Sequence, residues 1–302
     1  MQDAFFDAMA DVAAADPDLL LLAGWTEPHR IEQLHEAMPD RIYTIGASEA
    51  TLVGMATGLA RTDHRVFLYA PAPAVTLRVC ELLRNDLCQP GLAVTVVGAD
   101  AGYAAGRDGF TAHATEDVAA MRALPGMTVI VPADSAEAGA AVRALAHHDG
   151  PAYLRLGAAD EAVGGEAGTT FAIGRARQLR EGHDVTLIGC GSLLRAVLEA
   201  ADILQAGGVS ARVLNMATVA PLDTDAILAA CRETRALITI EEHSVTGGLG
   251  SAVADLLAGL PAHPPLRRLG LAPTLIDHAG SRTSLLAAQG LDGKGIAASA
   301  RA

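Results

Sequence analysis

The sequence predicts two doubly wound α/β domains, the first with a parallel sheet and the second with a mostly parallel one. Three observations predict this. Short apolar, β-branched runs alternate with helix-period segments along both halves of the chain. A small, acidic, glycine-rich stretch, GAADEAVGGEAGTT at 157–170, separates the two series and reads as a linker. The length, 302 residues, suits two domains of about 150 residues each. The expected division is a first domain over 1–158, a linker over 159–171 and a second domain over 172–302.

In the first half, residues 3–15 read as a helix because Phe5, Phe6, Met9, Val12 and Ala13 share a face. Residues 19–23 are a short apolar strand. Pro28 suits the first turn of a helix reaching about residue 38. Residues 41–45 form a strand, Gly46 turns the chain, and 49–60 is helical. A strand at 66–69, a helix at 76–85 and a valine-rich strand at 92–97 follow. A long loop runs over 98–115, with glycines at 98, 102, 106 and 109. Then come a helix at 116–123, a strand at 128–131 stopped by Pro132, a helix at 136–146 and a strand at 152–156. The second half repeats the alternation: strands at 185–188, 211–215, 236–241 and 266–269, with helices at 193–205, 224–234, 250–258 and 284–288.

Composition excludes several function classes. Apolar residues are 51% of the chain and charged residues 19%, at a mean hydropathy of +0.29, enough for a sizeable core. The net charge of −13, with no basic run, makes nucleic acid an unsuitable partner. No apolar stretch reaches the ~18 residues of a membrane span. The start, Met1-Gln2-Asp3-Ala4, lacks the pattern of a signal peptide. Cys80, Cys88, Cys190 and Cys231 are scattered and read as reduced thiols of a cytoplasmic protein. Nine of the ten aromatic residues lie at or before Tyr153 and the tenth is Phe171, so an aromatic-lined site belongs in the first half.

Common motifs fail. Gly189-Cys190-Gly191-Ser192-Leu193-Leu194 after a strand lacks the third small residue of a dinucleotide fingerprint, and Asn215 stands where an acid is needed. It reads as a tight strand-to-helix turn. There is no P-loop, no Gly-x-Ser-x-Gly and no zinc-type histidine spacing. The segment from Gly46 to Ala60, GASEATLVGMATGLA, is more informative. Ser48 suits an N-cap, and Glu49 sits near the positive helix end. Gly54 and Gly58 each cost about 1 kcal/mol inside a helix. They suit a face on which another backbone packs closely, as where two protein chains meet.

Five segments together carry a resemblance to transketolases. They are Gly46–Ala60; Gly106-Arg107-Asp108-Gly109-Phe110-Thr111-Ala112-His113; the run from Glu116 through Met127 with Val131-Pro132-Ala133-Asp134; Gly150-Pro151-Ala152-Tyr153-Leu154-Arg155-Leu156; and Glu241-Glu242-His243 with Gly247-Gly248-Leu249-Gly250. The resemblance covers essentially the whole chain. It implies a thiamine-diphosphate pyrimidine-binding domain followed by a transketolase C-terminal domain. The family's first domain binds diphosphate and metal through a Gly-Asp-Gly…Asn motif, and this chain contains no Gly-Asp dipeptide.

The chain therefore resembles the C-terminal half of a split transketolase. The implied partner is an N-terminal subunit carrying that motif, with Mg²⁺ or Ca²⁺. The implied assembly is an α2β2 heterotetramer that includes self-association of this chain. The implied cofactor is thiamine diphosphate, held here at its pyrimidine end only. Glu49 corresponds to the glutamate that hydrogen-bonds N1′ of the aminopyrimidine and favours its imino tautomer. The family's aromatic shelf falls on Pro71 and Ala74, with Leu77 one turn on and Tyr69 the nearest aromatic. The catalytic histidine position carries Ala112, beside His113. An upstream histidine position carries Asp100, and a phosphate-binding arginine falls on Ala158. Asp108 and Arg155 match. The site residues expected are thus Glu49, His113 and Asp108 as catalytic, Glu49, Tyr69, Pro71 and Ala74 for the cofactor, and Asp100 and Arg155 for a small-molecule substrate. Two readings stay open: a two-carbon ketol transferase with unusual substrates, and a non-catalytic supporting subunit. Deoxyxylulose-phosphate synthase and the β subunit of 2-oxo acid dehydrogenases share the resemblance, although 106–134 is closer to transketolase.

Overall fold

A computed structural model describes residues 1–24, 28–158, 163, 171–274 and 279–301. Most of the expected linker lies outside the described residues. The strands are β1 (Leu19–Ala23), β2 (Ile42–Thr44), β3 (Arg65–Pro71), β4 (Val94–Ala99), β5 (Thr128–Ile130), β6 (Ala152–Arg155), β7 (Arg177–Arg180), β8 (Val185–Gly189), β9 (Ala211–Asn215), β10 (Thr218–Ala220), β11 (Leu237–Ser244) and β12 (Leu266–Leu271).

They form two sheets, ordered β10-β5-β6-β4-β3-β1-β2 and β12-β11-β8-β9-β7. The first six strands pair parallel throughout. Such strands are buried on both faces and read as continuous apolar runs, which is why Leu19–Ala23 and Val94–Ala99 are legible in the sequence. Each sheet also carries one antiparallel edge strand, β10 against β5 and β7 against β9. Strand β10 comes from the second half of the chain, so the second domain completes the edge of the first domain's sheet. The turn at Gly189–Leu194 is the tight one expected: Gly191 has φ +66°, and its N–H donates to Val131 O across the domains at 3.1 Å.

The faces of β3 divide the first core. Phe67 and Tyr69 pack with Phe5, Phe6 and Met9 of helix Gln2–Ala15, while Leu68 and Ala70 pack with Leu52, Val53 and Ala56 of helix Glu49–Ala60. The expected helix over 76–85 is replaced by short helices Ala72–Thr76 and Cys80–Leu82 and a wider π-helical turn, Leu83–Cys88. Pro71 and Pro73 start a helix rather than exclude one, because proline is tolerated in a first turn. Among the strands and longer helices of the described residues, β7, β10 and helix Gly293–Arg301 have no counterpart in the sequence reading. Gly54 and Gly58 are not buried, and a Cβ at either meets no described atom beyond its chain neighbours and its own helix backbone within 4 Å. The close-packed backbone expected there is not supplied by the described residues. No helix among the described residues is long and apolar enough to cross a membrane.

Candidate active site

Ligands of parallel sheets lie at the carboxyl ends of the strands, where the strand order reverses. In this sheet β1 connects to β2 on one flank and β3 returns on the other. The carboxyl ends of β1 to β4 then carry Gly24, the Gly46 turn, Pro71 and Asp100. Gly46, at φ +73°, turns the chain after β2 and places Glu49 at the first position of its helix. Ser48 does not cap that helix through its hydroxyl. Its Oγ pairs with Thr51 Oγ1 at 2.7 Å instead.

Glu49 is 5% exposed. Its Oε2 accepts a hydrogen bond from Arg78 Nη1 at 2.9 Å, and the Arg78 side chain is mostly in solvent. The segment that brings Arg78 to Glu49 also carries Pro71 and Ala74, both half-buried, and Leu77, 45% exposed. The segment leading to Arg78 is therefore aliphatic and partly open. Tyr69 is not among them. Its ring stacks on Phe5 at 5.4 Å, on the sheet face opposite helix Glu49–Ala60. Its hydroxyl donates to Gln2 Oε1 at 3.0 Å. The same Gln2 oxygen accepts from Arg30 Nη1, and Gln2 Nε2 donates to Asp100 Oδ1, each at 2.6 Å. The structure thus joins Tyr69 and Asp100 through Gln2, which Arg30 also holds, and neither Gln2 nor Arg30 carries a local signal in the sequence. Asp100 itself has φ +54°.

His113 and Asp108 share a loop but face opposite ways. Asp108 is exposed on a 3₁₀ turn. His113 is 4% exposed, edge-on to Tyr103, with Nε2 3.1 Å from Gly106 O. A carbonyl partner assigns the proton to Nε2, leaving Nδ1 as a buried acceptor with no partner among the described residues. Among these residues no cluster of His, Cys, Asp or Glu is placed to hold a metal ion.

Residues 1–159 match the transketolase pyrimidine binding domain and 174–296 the transketolase C-terminal domain. The chain belongs to the transketolase family. It is 37% identical over 272 residues to the 6-deoxy-6-sulfo-D-fructose transketolase subunit SqwH of Clostridium sp. (strain MSTE9), covering 90% of this chain and 84% of that one. It is 32% identical to an apulose-4-phosphate transketolase subunit of Phocaeicola vulgatus, covering 97% and 93%. A split-gene transketolase solved as an inactive β4 tetramer superposes with a TM-score of 0.91 at 34% identity, over 99% of this chain and 96% of that one. The 1-deoxy-D-xylulose-5-phosphate synthase of Chlorobium luteolum is 34% identical, but this chain spans only 47% of it.

In this transketolase-family chain, Arg155 ends β6 and pairs with Gly98 of β4. It is 4% exposed and sealed in the domain interface. Its Nε donates to Asp117 Oδ2 at 2.7 Å, and Nη2 donates to Ala114 O at 2.9 Å and to Glu242 O at 3.0 Å. Tyr153 Oη donates to the same Asp117 oxygen at 2.6 Å. The expected contact of Arg155 with substrate competes with these bonds, since its Nε and Nη2 are already held by protein groups. Burial alone would push the Asp117 carboxyl up, but the Arg155 guanidinium overcomes it and holds the carboxyl below its usual range. Burial, then Asp117, pushes the Tyr153 phenol well up.

The Glu241-Glu242-His243 segment of the resemblance also works at this interface. Glu241 accepts from the N–H groups of Leu249 and Gly250, at 2.7 and 2.8 Å, capping helix Leu249–Ala258. Burial still lifts its carboxyl to about 7. Burial lowers His243 to about 4. The neutral ring donates from Nδ1 to Ser244 O and accepts the Ala119 N–H at Nε2. The signal available in sequence is two adjacent acids inside an apolar strand, since buried charges require partners.

Proposed function

We propose that this chain is the C-terminal subunit of a split, thiamine-diphosphate-dependent, transketolase-like enzyme that transfers a two-carbon ketol or related acyl unit. It acts only with an N-terminal partner subunit. The observation that carries this reading is Glu49, a carboxyl buried at a helix start inside the part of the chain that matches a pyrimidine binding domain. An acid is costly to bury without a use or a partner. Its partner Arg78 is largely solvated and can be exchanged for a ligand.

The residues around Glu49 fit the aminopyrimidine end of the cofactor. Pro71 and Ala74, with Leu77, offer an aliphatic face, and Glu49 holds a proton against a ring nitrogen. When bound, thiamine diphosphate supplies the carbanion chemistry that breaks and forms carbon–carbon bonds beside a carbonyl. Asp108, exposed at its loop tip, hydrogen-bonds substrate hydroxyls. His113 orients that loop from within, and Asp100, held by Gln2, borders the substrate side, with Tyr69 supporting it. The division of labour is residues 1–158 for the cofactor, 159–171 as linker and 172–302 as the supporting domain. The diphosphate, with Mg²⁺ or Ca²⁺, belongs to the partner, in a cytoplasmic α2β2 assembly. Ala158 in place of a phosphate-binding arginine favours a non-phosphorylated donor or acceptor.

Glu49→Ala in the reconstituted pair tests this. The expected result is an assembled complex whose turnover falls about 10²–10⁴-fold; wild-type turnover overturns it. A second reading, a non-catalytic supporting subunit, is favoured by Ala112 and Asp100 standing where the resemblance expects histidines. It requires an assembled complex that takes up no thiamine diphosphate.

A further inference from the structure

The exposed tip that carries Asp108 is held from the second domain. Gly102 and Ala114 close the loop at its base by paired backbone bonds of 2.9 and 3.1 Å. That base is buried, with Tyr103 1%, His113 4% and Ala114 0% exposed. Arg107, Asp108 and Phe110 at the tip are exposed. A loop with a buried base takes its position from whatever grips the base.

The grip comes from residues distant in sequence. Glu242 Oε1 accepts the Tyr103 N–H at 2.8 Å. Arg282 forks onto the same carboxylate, with Nε 3.1 and 3.0 Å from its two oxygens and Nη2 2.6 Å from Oε2. The N–H of Gly280 donates to Gly106 O at 3.0 Å, the oxygen that His113 Nε2 also faces. The fit leaves no slack. A Cβ at Gly102 would lie 2.6 Å from Glu242 Oε1, and one at Gly106 2.7 Å from Gly280 O. These ties stop at Gly106, where the turn that carries Asp108 begins.

We propose that Glu242 and Arg282 are positioning residues: their ion pair fixes the 102–114 loop, and through it the tip that meets substrate. The carboxylate of Glu242, 5% exposed, depends on the Arg282 fork, because a buried anion stripped of its cation is strongly disfavoured. The second domain, which supplies none of the catalytic or cofactor residues assigned above, acquires a task. The catalytic consequence rests on the transketolase reading, but the tie itself does not.

Hydrogen–deuterium exchange on the purified full chain tests the tie without any activity. In Arg282→Gln the amides of 103–113 are expected to exchange about tenfold faster or more. Arg282→Lys, which keeps charge but loses the fork, falls between. Glu242→Gln reports the same loop from the acid side. Arg122→Gln is the control: Arg122 bonds Gly247 O and Gly248 O across the same domain interface, away from this loop, and its loss leaves 103–113 protected. Unchanged exchange in Arg282→Gln, or the same loss in Arg122→Gln, overturns the proposal. In the reconstituted complex, Arg282→Gln raises the substrate KM about tenfold with thiamine diphosphate affinity unchanged. An unchanged KM beside faster exchange overturns the catalytic half. A wild-type complex with no activity counts against the transketolase reading, and exchange then decides the tie alone.

Discussion

Arg78 donates to the carboxylate of Glu49 across 2.9 Å, joining an arginine side chain 66% exposed to an acid only 6% exposed. Water screens the arginine, so the pair adds little to stability. Arg78→Gln nevertheless leaves a buried carboxylate without its cation and is expected to cost about 1–3 kcal/mol. Glu49→Gln, of nearly the same shape, is expected to change stability by about 1 kcal/mol or less while removing turnover. Urea unfolding of both variants beside activity of the reconstituted pair separates the two roles of this carboxyl.

The Asp117–Arg155 pair lies at the other extreme. Both side chains are essentially buried, and Arg155 also bonds Ala114 O and Glu242 O. Arg155→Met strips Asp117 of its countercharge in the domain interface and is expected to cost about 3–5 kcal/mol. Adding Asp117→Asn recovers much of that loss, because the stranded charge is gone. A denaturant double-mutant cycle measures the recovery, and simple additivity would count against a buried ion pair.

Glu241 predicts a pH dependence of known sign. Its folded-state carboxyl titrates at about 7, above the ordinary 4.5, because burial outweighs its two backbone donors. The folded chain therefore binds a proton that the unfolded chain has released. The contribution is fully present below about 4.5 and is lost as pH rises through about 7. His243, lowered to about 4 from the ordinary 6.5, acts oppositely: its contribution is present above 6.5 and lost as pH falls through about 4. Urea midpoints of wild type and Glu241→Gln across pH 4–8 are expected to diverge between about 4.5 and 7, the variant gaining relative stability as pH rises. Parallel curves would show that Glu241 does not drive the dependence.

Gly54 and Gly58 have open space around each. Gly54→Ala is expected to stabilise the isolated chain by up to about 1 kcal/mol, since alanine is the better helix former. In the α2β2 reading that face meets a second copy, and the same substitution weakens self-association. Thermal unfolding of the chain and sedimentation at several concentrations read the opposed effects.

The first domain is legible in the sequence because strands buried on both faces must be apolar. Leu19–Ala23 and helix Glu49–Ala60 have the bounds that their patterns indicate. Strand β7 is not legible, because an edge strand reading Arg-Gln-Leu-Arg has no apolar run to see. Strand β10 is three residues recruited into the other domain's sheet, a long-range pairing that no local pattern encodes. In the site, Glu49 is legible from the Gly46 turn and the helix that follows it. Its bond to Arg78, 29 residues away, is not. Arg155 is expected at the substrate only through the resemblance, and whether its charge faces solvent or a buried partner is decided by tertiary packing that the sequence does not show. The same limit hides Glu242 and Arg282, 40 residues apart.

The central claim is that this chain completes a thiamine diphosphate site with an N-terminal subunit. Native mass measurement of the chain co-expressed with a candidate N-terminal half, with and without thiamine diphosphate and Mg²⁺, tests it most directly. The predicted result is a complex of two of each chain that gains the mass of the bound cofactor when both are supplied. An assembled complex that stays free of cofactor at high thiamine diphosphate would contradict it.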